Sequence, residues 1–465
     1  AAEGDILTSG NGKTIFALAG DSISMSDGAV TQTTNGAMRY EATSGDITLG
    51  QLIAGTANVA VIATAGSVLD IAGDTNDEDI QAAGLSISAG SNIGESTNYL
   101  DIAVDTLSSI SGGSNGTFLN ETDAVEINSV SVSVKQIDTD GMTPVANVAS
   151  TLIDLVTTNA SFLTLLAGGN VTITEGGDGD GNGVSVADGG NVLIRTTASG
   201  NITLDADADI QASTGHVSVI ANGSFEQKAQ ADIITTTGTV DVESETGTIT
   251  MDDNAQISSS ANIRMVAVDE ILLGGLSTSA DISLITSSGS ILDNGDTYID
   301  ISADKLRLSA ASGIGELGAG VDPLEISVAT LTATAGANGI SLLETDGLVV
   351  DDVTVTVKRV SDTAGVSDVE DALQSDLITT SDGSIVLRST TGNLTLEDGS
   401  AADDNTSVSA HGTGNILLET ISGDILANED VLSGRGHITV LASNNITFTA
   451  EADIVTSLSG SIDLE

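Results

Sequence analysis

The chain repeats itself at a short period, and that limits what it can fold into more than any single motif does. Between residues 214 and 268 the apolar pairs Val217/Val219, Val240/Val242 and Ile263/Met265 follow one another at steps of 23 residues. A second series (Phe225, Ile249/Met251, Ile271/Leu273) and a third (Ile233, Ile257) lie between them. Alternate residues of a strand point to opposite faces. Thr239-Val-Asp-Val-Glu243 is therefore expected to bury its valines and to turn Thr239, Asp241 and Glu243 to water. One unit of three short strands cannot enclose its apolar face, but units stacked at constant period can. The stretch predicts an all-β chain: a right-handed parallel β-solenoid of triangular section, with about 23 residues per rung.

Composition agrees with a thin coil. The chain has no Trp, five Phe, three Tyr and two Pro, against 53 Gly. A thick globular core draws on aromatics, whereas a coil packs with β-branched side chains and turns its corners on Gly and Asn, which tolerate left-handed backbone. With 465 residues and 40% apolar side chains there is ample material for a core.

A longer period overlies the short one. Gly66-Ser-Val-Leu-Asp70 returns as Gly289-Ser-Ile-Leu-Asp293, Glu121-Thr-Asp123 as Glu344-Thr-Asp346, and Val130-Ser-Val-Ser-Val-Lys135 as Val353-Thr-Val-Thr-Val-Lys358. The chain thus reads as about two copies of one unit of roughly 223 residues: 1–45 ends a preceding repeat, 46–268 is the first long repeat, and 269–465 is a shorter second. In each copy one stretch, near 136–161 and 359–381, leaves the rhythm and predicts a short lateral excursion. There Ala146 to Val156 would set Val148, Leu152 and Leu155 on one side of a helix. Its counterpart would align Val366, Val369, Leu373 and Leu377, with Asp368, Glu370 and Asp371 favourably near the helix start.

The charge is −54, from 66 acids against 12 Lys plus Arg. Basic residues scattered from Lys13 to Arg435 exclude nucleic acid as a partner and disfavour an anionic membrane surface. No run approaches the roughly 18 apolar residues of a membrane-spanning helix, so no membrane insertion is expected. Without cysteine there is no disulfide and no thiolate metal site. At about 4.8 Å per rung a long repeat would rise roughly 40 Å. Its charges would then lie well inside a Debye length of about 8 Å, and cations must crowd such a rod. The start lacks the basic and apolar regions of a signal peptide. Ser459 to Glu465 matches Thr237 to Glu243 in mid-coil, so the chain is expected to be part of something longer.

The sharpest local motif is Glu175-Gly-Gly-Asp178-Gly-Asp180-Gly-Asn182. Oxygen-bearing side chains at alternate positions, spaced by glycine, can wrap a hard cation such as calcium. An EF-hand is excluded, because Gly189 stands where the bidentate Glu belongs. The second copy reads Glu397-Asp398-Gly-Ser-Ala-Ala-Asp403-Asp404-Asn405. The candidate calcium ligands are Asp178, Asp180, Asn182, Asp403, Asp404 and Asn405; the plainer alternative is an acidic, solvated corner. The cluster Asp74, Asp77, Glu78 and Asp79 reads as a solvated face. His216, His411 and His437 have no Cys or second His beside them and read as corner residues. No Gly-x-Ser-x-Gly elbow with a nearby His stands out, and paired carboxylates carry no information where acids are this common.

Gly436-His-Ile-Thr-Val-Leu-Ala-Ser-Asn-Asn-Ile-Thr-Phe448 and Gly383-Ser-Ile-Val-Leu-Arg-Ser-Thr-Thr-Gly-Asn-Leu-Thr-Leu396 resemble the repeats of giant bacterial surface proteins. The resemblance is to the LEPR-XLL type and, more loosely, to filamentous-haemagglutinin-like adhesins. It implies secretion, a place outside the cell or on the bacterial surface, and no catalytic residues. The expected function is structural: a segment of an extracellular fibre, stalk or matrix filament that self-associates and is stabilised by calcium. The alternative is an adhesin contacting cell surfaces or polysaccharide. An enzyme acting on polysaccharide would need clustered basic and aromatic residues, and a surface-binding solenoid a regular Thr array; the chain has neither pattern.

Overall fold

A computed structural model describes residues 4–72, 78–139, 141, 144–295, 298–320, 322–401, 404–457 and 459–465. The chain is all-β, its strands stacked in parallel ladders as a β-solenoid, and there is no helix among the described residues. It divides into two compact units: Ala1–Gly238 with Arg359–Ser367, and Thr239–Lys358 with Asp368–Glu465.

In the first unit one turn of coil sets Val192 opposite Val217, Ile202 opposite Phe225 and Ile210 opposite Ile233, one pair for each of three ladders. In the second unit Val240 faces Ile263, Ile249 faces Ile271 and Ile257 faces Leu276. All twelve of these side chains are buried. Sealing a Val, Leu or Ile contributes about 1.5–3 kcal/mol each, so the columns of like residues are what hold the rungs in register. The 23-residue step holds from Val240 to Ile263, but it is 25 from Val192 to Val217, 19 from Ile263 to Ile282 and 31 from Ile385 to Ile416. Corner loops absorb the differences.

The corners stack closely. A Cβ on Gly215 would lie 1.7 Å from the Gly190 carbonyl oxygen, so this close approach requires glycine. Asparagines at successive corners satisfy amides that a turn leaves without a ladder partner: Asn191 Oδ1 accepts from His216 N at 2.7 Å, and Asn201 Oδ1 from Ser224 N at 2.8 Å.

The excursions are hairpins, not helices. Strands Val130–Ile137 and Pro144–Leu152 pair antiparallel, and strands Val353–Val360 and Val366–Gln374 form the corresponding two-stranded sheet. The apolar spacing that suggested helices is overridden. An edge of unpaired N–H and C=O groups on Val130–Ile137 gains a full row of partners from the returning strand. Val130, Val132 and Val134 then pack on Ala60, with Phe16, Ala37 and Val148 around them. The hairpin lies across successive turns of coil. Lys135 N donates to Thr14 Oγ1 (3.0 Å), Arg39 Nη1 to Ser150 Oγ (2.8 Å) and Asn58 Nδ2 to the Ser131 carbonyl (3.0 Å).

The second hairpin is held by a stronger clamp. Arg264 Nε donates to both Asp371 oxygens (3.0 and 3.1 Å), and its Nη1 to Asp241 Oδ1 (3.1 Å). Asp241, expected to face water, is 0% exposed because the hairpin covers its face of the strand, and Thr239 is buried against Lys358 for the same reason.

Candidate metal centres

Each hairpin returns to the coil through an aspartate. Asp154 and Asp376 both take left-handed backbone (φ 63° and 66°), and their carbonyls accept the amides of Ser109 (2.8 Å) and Ala333 (2.9 Å). The strands that follow, Leu155–Thr157 and Leu377–Thr379, rejoin the ladder on the bent strands Leu100–Ser111 and Leu324–Ala335. The turn aims each aspartate side chain at the acidic corner loop that comes later in the chain.

There the carboxylates converge. Asp154, Asp178 and Asp180 each offer an oxygen within 4.8 Å of the other two, and so do Asp376, Asp398 and Asp404. Asp154 and Asp376 are 4% and 1% exposed, and the Oδ1 atoms of both, with that of Asp398, are buried without a hydrogen-bond partner. The loop backbone comes close enough to require glycine: a Cβ on Gly176 would sit 3.0 Å from Asp154 Oδ1 and 2.2 Å from Ile153 Cγ2.

The rest of each loop orients its own acids. Glu175 accepts the amides of Gly177 (2.9 Å) and Gly179, Asp178 Oδ1 that of Asp180 (3.2 Å), and Asp180 Oδ1 that of Asn182 (2.8 Å). In the second loop Asp398 Oδ2 accepts from Asn405 N (2.9 Å) and Asp404 Oδ1 from Thr406 N (3.1 Å). Burial pushes the Asp154 carboxyl up to about 7, with the charges of Asp178, Asp180 and Glu175 adding to it. Burial raises Asp376 to about 6 against the relief of bonds from Ser375 and Gly399, with Asp398 and Asp404 pushing further. Glu175 lies below its ordinary value, chiefly because the Gly179 amide stabilises the carboxylate. Acids continue along the edge: Asp209 is raised to about 6 by burial and, after the relief of the Asp232 amide, by Asp232, Asp207 and Asp180.

Of the six expected ligands, Asp178, Asp180 and Asp404 join the triads. Asn182 opens strand Asn182–Val186, and its Nδ2 donates to the Asp180 backbone carbonyl at 3.4 Å. Asn405 serves the turn, with φ 59° and its amide on Asp398. Asp403 lies outside the described residues. The spacing argument missed Asp154, Asp376 and Asp398. The first two carried a signal, the recurrence of Asp154-Leu-Val-Thr157 as Asp376-Leu-Ile-Thr379. The other acidic cluster is corrected in part. Asp74 and Asp77 fall outside the described residues, and Asp79, expected at a solvated face, is 1% exposed. His437 behaves as a corner residue, its Nδ1 2.7 Å from Ser461 Oγ.

Three carboxylates facing inward with oxygens left over suit a hard cation. Calcium takes carboxylate oxygens at about 2.3–2.6 Å, so ligands on opposite sides of one ion stand about 4.8 Å apart. Set beside known proteins, the chain matches no family model, no curated protein and no solved structure.

Proposed function

We propose that the chain is a structural segment of an exported bacterial β-solenoid protein, part of an extracellular fibre, stalk or matrix filament, with calcium held at its corner triads. The observation that carries this reading is the hairpin laid across each coil. Adjacent rungs are joined by ladder bonds that a pull along the coil loads directly. A covalent strap bonded to Thr14, Arg39 and Asn58 in one unit, and to Asn262, Arg264 and Arg307 in the other, shares such a load among several rungs. A binding module or enzyme has no evident use for that device.

The acidic triads fit the same role. Bound calcium offsets self-repulsion and replaces a buried charge cluster, which is costly alone, with a cross-link between the hairpin's return and the corner loop. The export and the bacterial surface rest on the resemblance of the repeats.

Electron cryomicroscopy of the native material in millimolar calcium, and again in chelator, tests the proposal. Filaments with a strand spacing of about 4.8 Å along their axis, loosening when calcium is withdrawn, are the expected result. Discrete particles indifferent to chelator would overturn both the fibre and the role of the ion.

A further inference from the structure

One rung of the second unit lacks a side chain where its neighbours carry one. On the outer face of one ladder Gln256 stands opposite Gly275. Asp300 follows on the next strand, its carbonyl accepting the Leu276 amide at 2.7 Å. Ile257, Leu276 and Ile301, next to these three in sequence, point inward and are buried. Gly275 therefore floors a notch whose flanking strands lie about 9.6 Å apart. In the first unit the same place is filled. Gln51 stands opposite Val30, one residue ahead of Leu52, which pairs with Ile80 as Leu276 pairs with Ile301. The close approach that demands glycine at Gly215 is absent here. A Cβ on Gly275 would meet nothing nearer than the flexible Gln256 Cγ, at 3.3 Å.

The walls of the notch are apolar and its rim is polar. Tyr298 and Ile299 line it and are 76% and 47% exposed. Of the eight aromatic side chains, the next most exposed is Phe448, at 37%. Asp253, Asn254 and Gln256, all exposed, stand around the opening, and the cavity measures about 290 Å³. An aromatic ring and a branched aliphatic side chain left in water beside a cavity carry a hydration cost that an occupant would recover.

We propose that this notch binds one ring of a neutral saccharide, with the Tyr298 ring as its platform. A pyranose has a C–H face that lies against an aromatic ring, and a rim of hydroxyls that both donate and accept. Tyr298 and Ile299 suit the face. The Asn254 and Gln256 amides each offer donors and an acceptor, and Asp253 offers acceptors, which suits the rim. A cavity with an apolar wall and a few convergent polar groups is the usual form of a small-molecule site. Acidic sugars are turned away by Asp253 and Asp300 and by the charge of −54. The notch is built on ladder strands, so it stands or falls independently of calcium and of the fibre reading.

Saturation-transfer NMR on the whole chain tests the proposal. The probes are the methyl glycosides of glucose, galactose and mannose, and N-acetylglucosamine, with lysine methyl ester as a cationic comparison. At least one sugar is expected to bind with a Kd on the order of 1–10 mM. Tyr298→Ala should weaken it by about tenfold or more, and Tyr298→Phe, which keeps the ring, should retain it. Gly275→Gln installs the residue that the first unit carries, pushes only on the Gln256 side chain, and should abolish binding by filling the notch. Silence from all four sugars, or binding that both Tyr298→Ala and Gly275→Gln leave unchanged, would overturn the proposal. So would a salt-sensitive preference for lysine methyl ester, which would make the notch a seat for a cationic side chain.

Discussion

Replacing Arg264 by Met is expected to release the second hairpin at a cost that its counterpart in the first unit does not share. The Arg264 guanidinium donates to Asp371 (3.0 and 3.1 Å) and to Asp241 (3.1 Å), with Glu243 at 3.7 Å. Asp241 is 0% and Asp371 6% exposed, so without the arginine two buried carboxylates lose the cation that bridges them, although the charge of Arg307 still acts on Asp371. Removing one partner of a buried pair costs about 3–5 kcal/mol. Arg39→Met is the matched control. Arg39 bridges Glu41 at 2.9 Å and donates to Ser150, but the Glu41 side chain keeps a quarter of its surface exposed and water can take over. About 1 kcal/mol is the expected loss there. Solenoids unfold rung by rung rather than all at once, so the assay is hydrogen exchange read by mass spectrometry on hairpin peptides. Protection across 353–358 should fall by about two to four decades in Arg264→Met, while protection across 130–137 should fall by about one decade or less in Arg39→Met. Adding Asp241→Leu and Asp371→Leu to Arg264→Met should restore most of the loss. Equal losses in the two single variants, or a triple variant no better than Arg264→Met, would refute the buried-charge reasoning.

Two further outcomes follow from the same kind of accounting. Burial pushes Glu121 and Glu344 up from 4.5 to about 8. The folded state therefore holds protons that the unfolded chain gives up, so their contribution is complete below about pH 4.5 and is lost as pH rises through about 8; chelator-treated protein should melt lower at pH 9 than at pH 6. A flat or rising profile, or one that Glu121→Gln/Glu344→Gln leaves unaltered, would count against it. Gly215→Ala places a methyl 1.7 Å from the Gly190 carbonyl oxygen and should cost about 1–3 kcal/mol by calorimetry, whereas Gly20→Ala, with nothing within 4 Å, should be near neutral; equal effects would refute the stacked-corner reading.

The fold was legible because its signal is periodic and its core is one residue thick. Val217, Val219, Phe225 and Ile233 in one unit, and Val240, Val242, Ile263 and Met265 in the other, are buried where the spacing puts them. What local spacing cannot express is a strand that leaves the coil and lies on it. The alternation in Thr239–Glu243 correctly separates two faces, yet the face marked for water is covered by residues more than a hundred positions later, and Asp241 is sealed with Arg264. Val366, Val369 and Leu373 fit a helix by spacing, but a neighbouring strand edge decides otherwise. The acidic triads were half legible for a related reason. Asp178 and Asp180 advertise themselves in a glycine-spaced loop, whereas Asp154 sits alone between apolar residues and acquires its partners through the return of the hairpin.

That placement links the strap to the acidic corner. Asp154 and Asp376 are the first residues after their hairpins to bond with the coil: each gives its carbonyl to a strand behind it and its carboxylate to the corner loop. A cation between that carboxylate and the loop would hold the hairpin's return down on the coil. The ladders need no such help, since their bonds join backbone to backbone and their columns of Ile, Val and Leu are closed to water. Withdrawing calcium from a chain so built would therefore act first on the straps, where the buried acids are left to repel one another, and would reach the stacked rungs only through the load that the straps no longer share.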